Sequence, residues 1–222
     1  MIKRDSLLGP EGTSAGCDND EIWIEQPLRD LNFAMACKIT GIESVPSIRN
    51  SRQVGFDLNP GKDCAFSLFL AVATSEETQN PLKTALDKVR SASMEGMQRV
   101  NKRHRQYWSD FWSQSFIDLP DDYLTNLWYM NVYQAGSSSS GNYPPHFISS
   151  IWSWNRDVRP WNHYYHWNQQ QYTWPLHASG HHDLMLPYAK WRREGLEHAV
   201  EDAETVFNCS GAVYFDVANR RG

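Results

Sequence analysis

Cysteine is scarce in this chain, with four among 222 residues, at 17, 37, 64 and 209, and none in a CxxC pair. That spacing excludes a zinc ribbon and a thioredoxin-type dithiol. Free, mostly buried thiols are the expectation, with Cys37–Cys64 as the pairing that would lie within one sheet. Long apolar runs are also missing. No stretch approaches the roughly 20 apolar residues that a membrane-spanning helix needs, and Met1 to Asp18 is polar and glycine-dotted, unlike the apolar core of a secretory signal. Basic charge is sparse: 21 Lys and Arg stand against 26 Asp and Glu, and the one short basic cluster is Asn101-Lys102-Arg103-His104-Arg105, so nucleic acid is not an expected partner. HExxH is absent, which removes the simplest zinc-hydrolase reading.

Aromatic residues are what the chain has in abundance. Nine of its ten Trp fall between Trp108 and Trp191, and seven of its eight His between His146 and His198. This asymmetry divides the sequence into two regions of different character.

In the first region the hydrophobic period is two. Glu21 to Gln26 alternates, and Leu31 to Thr40 places Leu31, Phe33, Met35, Cys37 and Ile39 on one face, the mark of half-buried strands. Gln53 to Leu58 and Cys64 to Thr74 read as two more strands around the turn Asn59-Pro60-Gly61-Lys62, while residues 1–20 read as a loop. These are the last strands of an antiparallel sandwich, and their small number implies that further strands complete it.

At Asn80-Pro81 the period lengthens. Asn80 suits an N-cap and Pro81 the first helical position. A long helix or two follows, broken near Ser91 to Gly96. A second helix starts at Pro120 with Asp121 and Asp122 in its first turn and Gly136 as its C-cap. A last helix is expected from His181 to Phe207, and a hairpin-like segment from Gly211 to Val217. The fold class is therefore α+β, with a sandwich segment at 1–78, a helical linker at 79–116 and a helical domain at 117–222.

The chemistry concentrates between Trp152 and His182. Trp152, Trp154, Trp161, Trp167 and Trp174 alternate with Asn155, Asn162, Asn168 and Gln169 to Gln171. Sugars present apolar C–H faces and hydroxyl edges. Indole rings stack on the former and carboxamides satisfy the latter, so this mixture fits a saccharide pocket. A helical core with buried Trp is the structural alternative. Asp157, between Arg156 and Arg159, is the best acidic candidate, and an ion-paired structural role is open to it. Glu194 and Glu197 fall in an amphipathic helix and read as solvated. His177 and His181 have the four-residue spacing of a zinc pair, but Gly180 intervenes, no third ligand is placed by spacing, and His181, His182 and Asp183 are equally the polar first turn of a helix. No metal and no cofactor is assigned.

The run His104 to Pro120 (HRQYWSDFWSQSFIDLP), then Leu127-Trp128-Tyr129, Tyr133 to Ser138, Tyr143-Pro144-Pro145, Arg159-Pro160-Trp161-Asn162 and Asn168 to Pro175, resembles glycoside hydrolase family 95 over roughly residues 65–215. That family contains α-L-fucosidases and α-L-galactosidases. The resemblance implies a β-sandwich, a helical linker and an (α/α)6 barrel, and hence an inverting exo-glycosidase outside the cytoplasm, extracellular or periplasmic, with an oligosaccharide as its partner. It implies a water-positioning role for Asn168 and for Gln170, which stands where the family has a second asparagine, and a motif closed by Trp174-Pro175. Ser153 is a further departure, standing where the family usually has Asn. Sugar contacts are implied at Trp152, Trp154, Asn155, Asp157, Trp161, Asn162, His166, Trp174 and His177. Glycoside hydrolysis needs a general acid and a base. The resemblance places both beyond Gly222, so this chain alone is expected to be inactive. The alternatives are a non-catalytic carbohydrate-binding protein on the same fold and a metallohydrolase using His177, His181 and His182.

Overall fold

A computed structural model of the chain describes residues 12–28, 31–59, 61, 65–139, 167–215 and 217–218. Antiparallel strands occupy the N-terminal part and helices the remainder, an α+β arrangement. The chain divides into two compact units, Met1–Trp108 and Ser109–Gly222.

In the first unit, β1 (Ser14–Asp18), β2 (Glu21–Pro27), β3 (Asn32–Thr40) and β6 (Ser67–Thr74) form an antiparallel sheet in the order β1-β2-β3-β6, and β4 (Ser44–Asn50) pairs with β5 (Gln53–Leu58) as a separate hairpin. Two strands depart from the expectation. β1 lies where a loop was read, because its pairing with β2, and not any apolar alternation of its own, defines it. Gly16 faces Trp23 across that pair. A Cβ on Gly16 would sit 2.3 Å from Trp23 Cζ2, so only glycine lets the indole lie over β1. β4 was not anticipated at all, since SVPSIRN is polar and carries a proline that strand patterns disfavour.

The sheet is closed by a helix on one side. The helix α1 (Pro81–Glu95) packs against β3 and β6, and the shared core is Ala34, Ala36, Phe69, Ala73, Ala85 and Val89 with Trp23, Ala71 and Leu82 against it. Alanines on β3 explain the fit, because a sheet face without bulk admits a helix closely. β3 holds buried residues on both faces: Ala34 and Ala36 are fully buried, whereas Met35, on the expected face opposite them, is 38% exposed. On that opposite face Leu68, Leu70 and Val72 are also exposed, while Ile22, Cys37 and Ile39 are buried. Cys37 is a free thiol, which removes the bridge to Cys64.

Beside this core sits an ion cluster in which only Glu21 is buried. The Glu21 carboxylate, 6% exposed, accepts from Arg90 Nε at 3.0 Å, from Arg90 Nη2 at 2.7 Å and from Lys38 Nζ at 3.2 Å, and Lys38 also reaches Asp20 at 2.6 Å. The Arg90 guanidinium holds the Glu21 carboxyl below the usual carboxylate range against the opposing effect of burial, with Lys38 adding to it.

Local signals set the helix ends. Asn80 Oδ1 accepts from the Lys83 N–H at 3.0 Å with Pro81 at the start of α1, as expected. The break falls at Gly96, whose φ of +82° no ordinary L-residue adopts cheaply, and α2 (Met97–Trp112) follows. In the second unit Asp121 caps α3 (Asp122–Ser138) through the Tyr123 and Leu124 N–H groups. Gly136 does not end α3. It lies inside the helix, where a Cβ would approach the Phe111 ring at 2.7 Å, so its role is close packing. α4 spans Trp167–Ala178 and stops at Gly180, φ +80°. The single helix expected over His181–Phe207 is a 3-10 turn at His182–Met185, then α5 (Leu186–Glu194) and α6 (Leu196–Phe207). Gly195 divides the last two, and Asn208 closes α6 in a left-handed conformation. Gly211 to Phe215 forms no strand. The Val213 N–H bonds to the Ala199 carbonyl at 2.7 Å instead.

Candidate functional site

α4 has an unusual distribution of side chains. Its buried residues are Gln169, Thr173 and Leu176, and Gln169 is only 2% exposed. Trp167 and Trp174 are 48% and 59% exposed. A helix that docked for stability alone would bury its indoles and leave its carboxamides in water. Trp167, Gln171 and Trp174 follow the i, i+4, i+7 spacing of one helix face, with the two indoles about 10 Å apart along the axis. That face also carries no charge.

Next to it, α3 and α4 enclose a cleft of about 310 Å³ lined by Trp128, Asn131, Gln171, Tyr172, Leu176 and Ser179 among others, at the lower end of the volumes that hold small ligands. Asn131 Nδ2 donates to the Leu127 carbonyl at 2.8 Å, which orients the amide and leaves Oδ1 for a ligand. Tyr172 pairs its hydroxyl with Ser138 Oγ at 3.2 Å, and burial pushes its phenol up in pKa, so it stays a neutral hydrogen-bonding group. Trp128 meets Tyr129 edge to face at 4.9 Å. The cleft thus offers one indole, two carboxamides and a phenol, the groups suited to an uncharged polyol ring.

Of the residues expected at the site, Asn168, Gln170, Trp174 and His177 are described. Trp152, Trp154, Asn155, Asp157, Trp161, Asn162 and His166 lie outside the described residues. Asn168 and Gln170 are not brought together: two positions on a helix differ by roughly 200°. Asn168 is exposed, while Gln170 lines a second recess with Arg192, Arg193, Tyr214 and Phe215.

The histidines separate as well. His177 Nδ1 lies 3.0 Å from His182 Nδ1, both rings in solvent. His181 is fully buried after α4 has ended, stacked on Phe111 at 4.3 Å, with Nε2 3.3 Å from Ser115 Oγ and Nδ1 without a hydrogen-bond partner. Burial lowers its pKa, against a smaller upward pull from Asp183, so the ring is neutral near pH 7. The Ser115–His181 pair has no carboxylate on Nδ1 to orient it and does not amount to a nucleophilic triad. Among the described residues, no group of three or more His, Cys, Asp or Glu is placed to hold a metal ion, and no helix is long and apolar enough to cross a membrane.

Asn131, Tyr172 and the Arg192-Arg193 pair were not anticipated as site residues. Trp128 and Asn131 read as core positions of a helix, and the only available signal was an indole with a carboxamide three residues on. No known family model matches the chain, and no curated protein matches its sequence.

Proposed function

We propose that this chain handles carbohydrate as part of a glycoside hydrolase, with an inverting exo-glycosidase acting on α-L-fucosides or related glycosides as the specific reading. The observation that carries it is the inverted helix α4, which buries Gln169 and turns Trp167 and Trp174 to solvent beside Gln171. Exposed rings flanked by carboxamides, next to a cleft of about 310 Å³ with a matching lining, support saccharide binding. The resemblance of Asn168 to Pro175 and the flanking motifs to glycoside hydrolase family 95 supplies the reaction class. In this reading α3 to α6 belong to an (α/α)6 barrel, and the strands to its companion β-sandwich.

Calorimetric titration of the full chain with L-fucose, L-galactose and fucosylated oligosaccharides tests the proposal. Binding is expected, and Trp174→Ala should weaken it about tenfold, the contribution of a stacked ring, with an unchanged melting temperature because Trp174 is exposed. No binding to any of these sugars, or equal binding by the variant, overturns the reading. Because the resemblance places the general acid and base outside this chain, no release of free sugar from nitrophenyl glycosides is expected of it; a Glu and an Asp on later barrel-helix ends would separate the enzyme from the second reading, a carbohydrate-binding protein without chemistry.

A further inference from the structure

Gln170 opens on a recess of about 460 Å³ formed by the end of α5 and the segment after α6, lined by Gln170, Arg192, Arg193, Tyr214 and Phe215. Among the described residues the lining contains two guanidinium groups and no carboxylate. Arg192 is held in place from several sides. Its guanidinium carbon lies 4.5 Å from the centre of the Trp191 ring, 5.6 Å from that of Tyr188 and 5.8 Å from that of Tyr214, and its Nε donates to the Tyr188 hydroxyl at 3.1 Å. Tyr214 in turn donates to the Arg192 carbonyl at 3.0 Å, which ties the recess wall to the helix terminus. Neither Arg192 nor Arg193 forms an ion pair among the described residues, and the neighbouring Glu194 is turned to Lys190 at 3.7 Å. A favourable interaction with the α5 dipole accounts for basic residues in a last turn. It does not account for a ring cage that holds one of them while its terminal Nη donors have no partner among the described residues.

A fixed, planar guanidinium with unused donors matches an oxyanion, and a carboxylate above all, because two parallel N–H groups meet its two oxygens. The recess is far larger than one oxyanion requires. Its remaining lining is two aromatic side chains and a carboxamide, the groups that receive the face and hydroxyls of a sugar ring. We propose that this recess binds an acidic sugar unit, a hexuronate, with Arg192 and Arg193 on the carboxylate and Gln170, Tyr214 and Phe215 on the ring. The assignment rests on the saccharide reading of the chain and extends it from neutral glycosides to acidic ones.

The test is titration of the full chain with a uronate disaccharide, its methyl ester, the neutral disaccharide of the same linkage, and sodium sulfate. Removing the charge by esterification should weaken binding about tenfold, the worth of a charge-assisted hydrogen bond. Arg193→Gln, at an exposed position, should abolish most of the difference between acid and ester while leaving neutral sugars and the melting temperature unchanged. Arg192→Lys keeps the charge but not the fork, and should reduce the difference as well. Equal affinity for acid and ester overturns the inference, as does sulfate binding as tightly as the uronate, which would mark a bare anion site. If neutral sugars still bind and Trp174→Ala still weakens them, that failure leaves the broader reading standing. If neutral sugars do not bind but the acid does, with sensitivity to Arg193, the recess stands and the α4 surface falls.

Discussion

Gly136 shows how one missing side chain settles a position's role. The neighbours in sequence make it look like a helix terminator, but the Phe111 ring lies where its Cβ would be, 2.7 Å from the nearest ring carbon. Phe111 is itself buried and stacked on His181. Gly136→Ala therefore sets two effects against each other. Helix propensity favours alanine by about 1 kcal/mol, and overpacking against a ring with nowhere to go costs about 1–3 kcal/mol. The expected result is net destabilisation, measured as a lower denaturation midpoint, and a stabilised variant would show that Phe111 yields. Glycine was visible in the sequence and its purpose was not, because the ring that demands it comes from 25 residues away. The same holds for Gly16 beneath Trp23. At Asn80, by contrast, residue type and position sufficed, since a cap bonds to an N–H two or three residues on and needs no distant partner.

Among the elements, α1 and α4 use the same helical geometry for opposite ends. α1 places Ala85 and Val89 on the alanine face of β3 and β6, a close apolar contact that no polar group interrupts. Val89→Ala should cost about 2 kcal/mol from lost burial and the cavity left behind, and Ala36→Leu about 1–3 kcal/mol from overpacking in the same layer. Urea unfolding followed by far-ultraviolet circular dichroism measures both, and a change under 0.5 kcal/mol in either would place the core elsewhere. α4 instead buries amide and hydroxyl on the protein side. Periodicity alone foresaw α1, whose apolar positions recur every three to four residues. It left α4 without a clean period, since ring and carboxamide residues fall on every side of the helix and tertiary packing decides which are covered. The helix expected over His181–Phe207 was divided for a comparable reason: its apolar positions keep a helical spacing across Gly195, and the break is a matter of tertiary direction.

For the whole molecule, two buried titratable groups among the described residues contribute to the response to acid. His181 has its pKa lowered by burial. Above the unfolded value of about 6.5 the ring is neutral in both states. Below it the unfolded chain takes a proton that the native chain refuses, so stability falls as pH drops from about 6.5 toward the native value. Glu21 has its pKa lowered chiefly by Arg90. Its contribution is complete above the unfolded value of about 4.3 and is lost as pH falls below that value. Denaturation series between pH 7.5 and 3.5 should therefore show two successive declines. His181→Phe should flatten the upper one and Glu21→Gln the lower, and a profile unaltered by either variant would remove these groups from the account.

The order of amino acids by itself determined where strands give way to helices, which residue caps the start of α1, the break at Gly96, and the concentration of rings and carboxamides toward the C-terminal half, because each is written in contacts or periods a few residues long. Only the tertiary structure decided that Gln169 goes inside while Trp174 faces water, that Asn168 and Gln170 diverge, and that Arg192 is caged by Tyr188, Trp191 and Tyr214. Those outcomes depend on which surface of a helix another element covers, and that choice is made by side chains far apart in the chain competing for the same space.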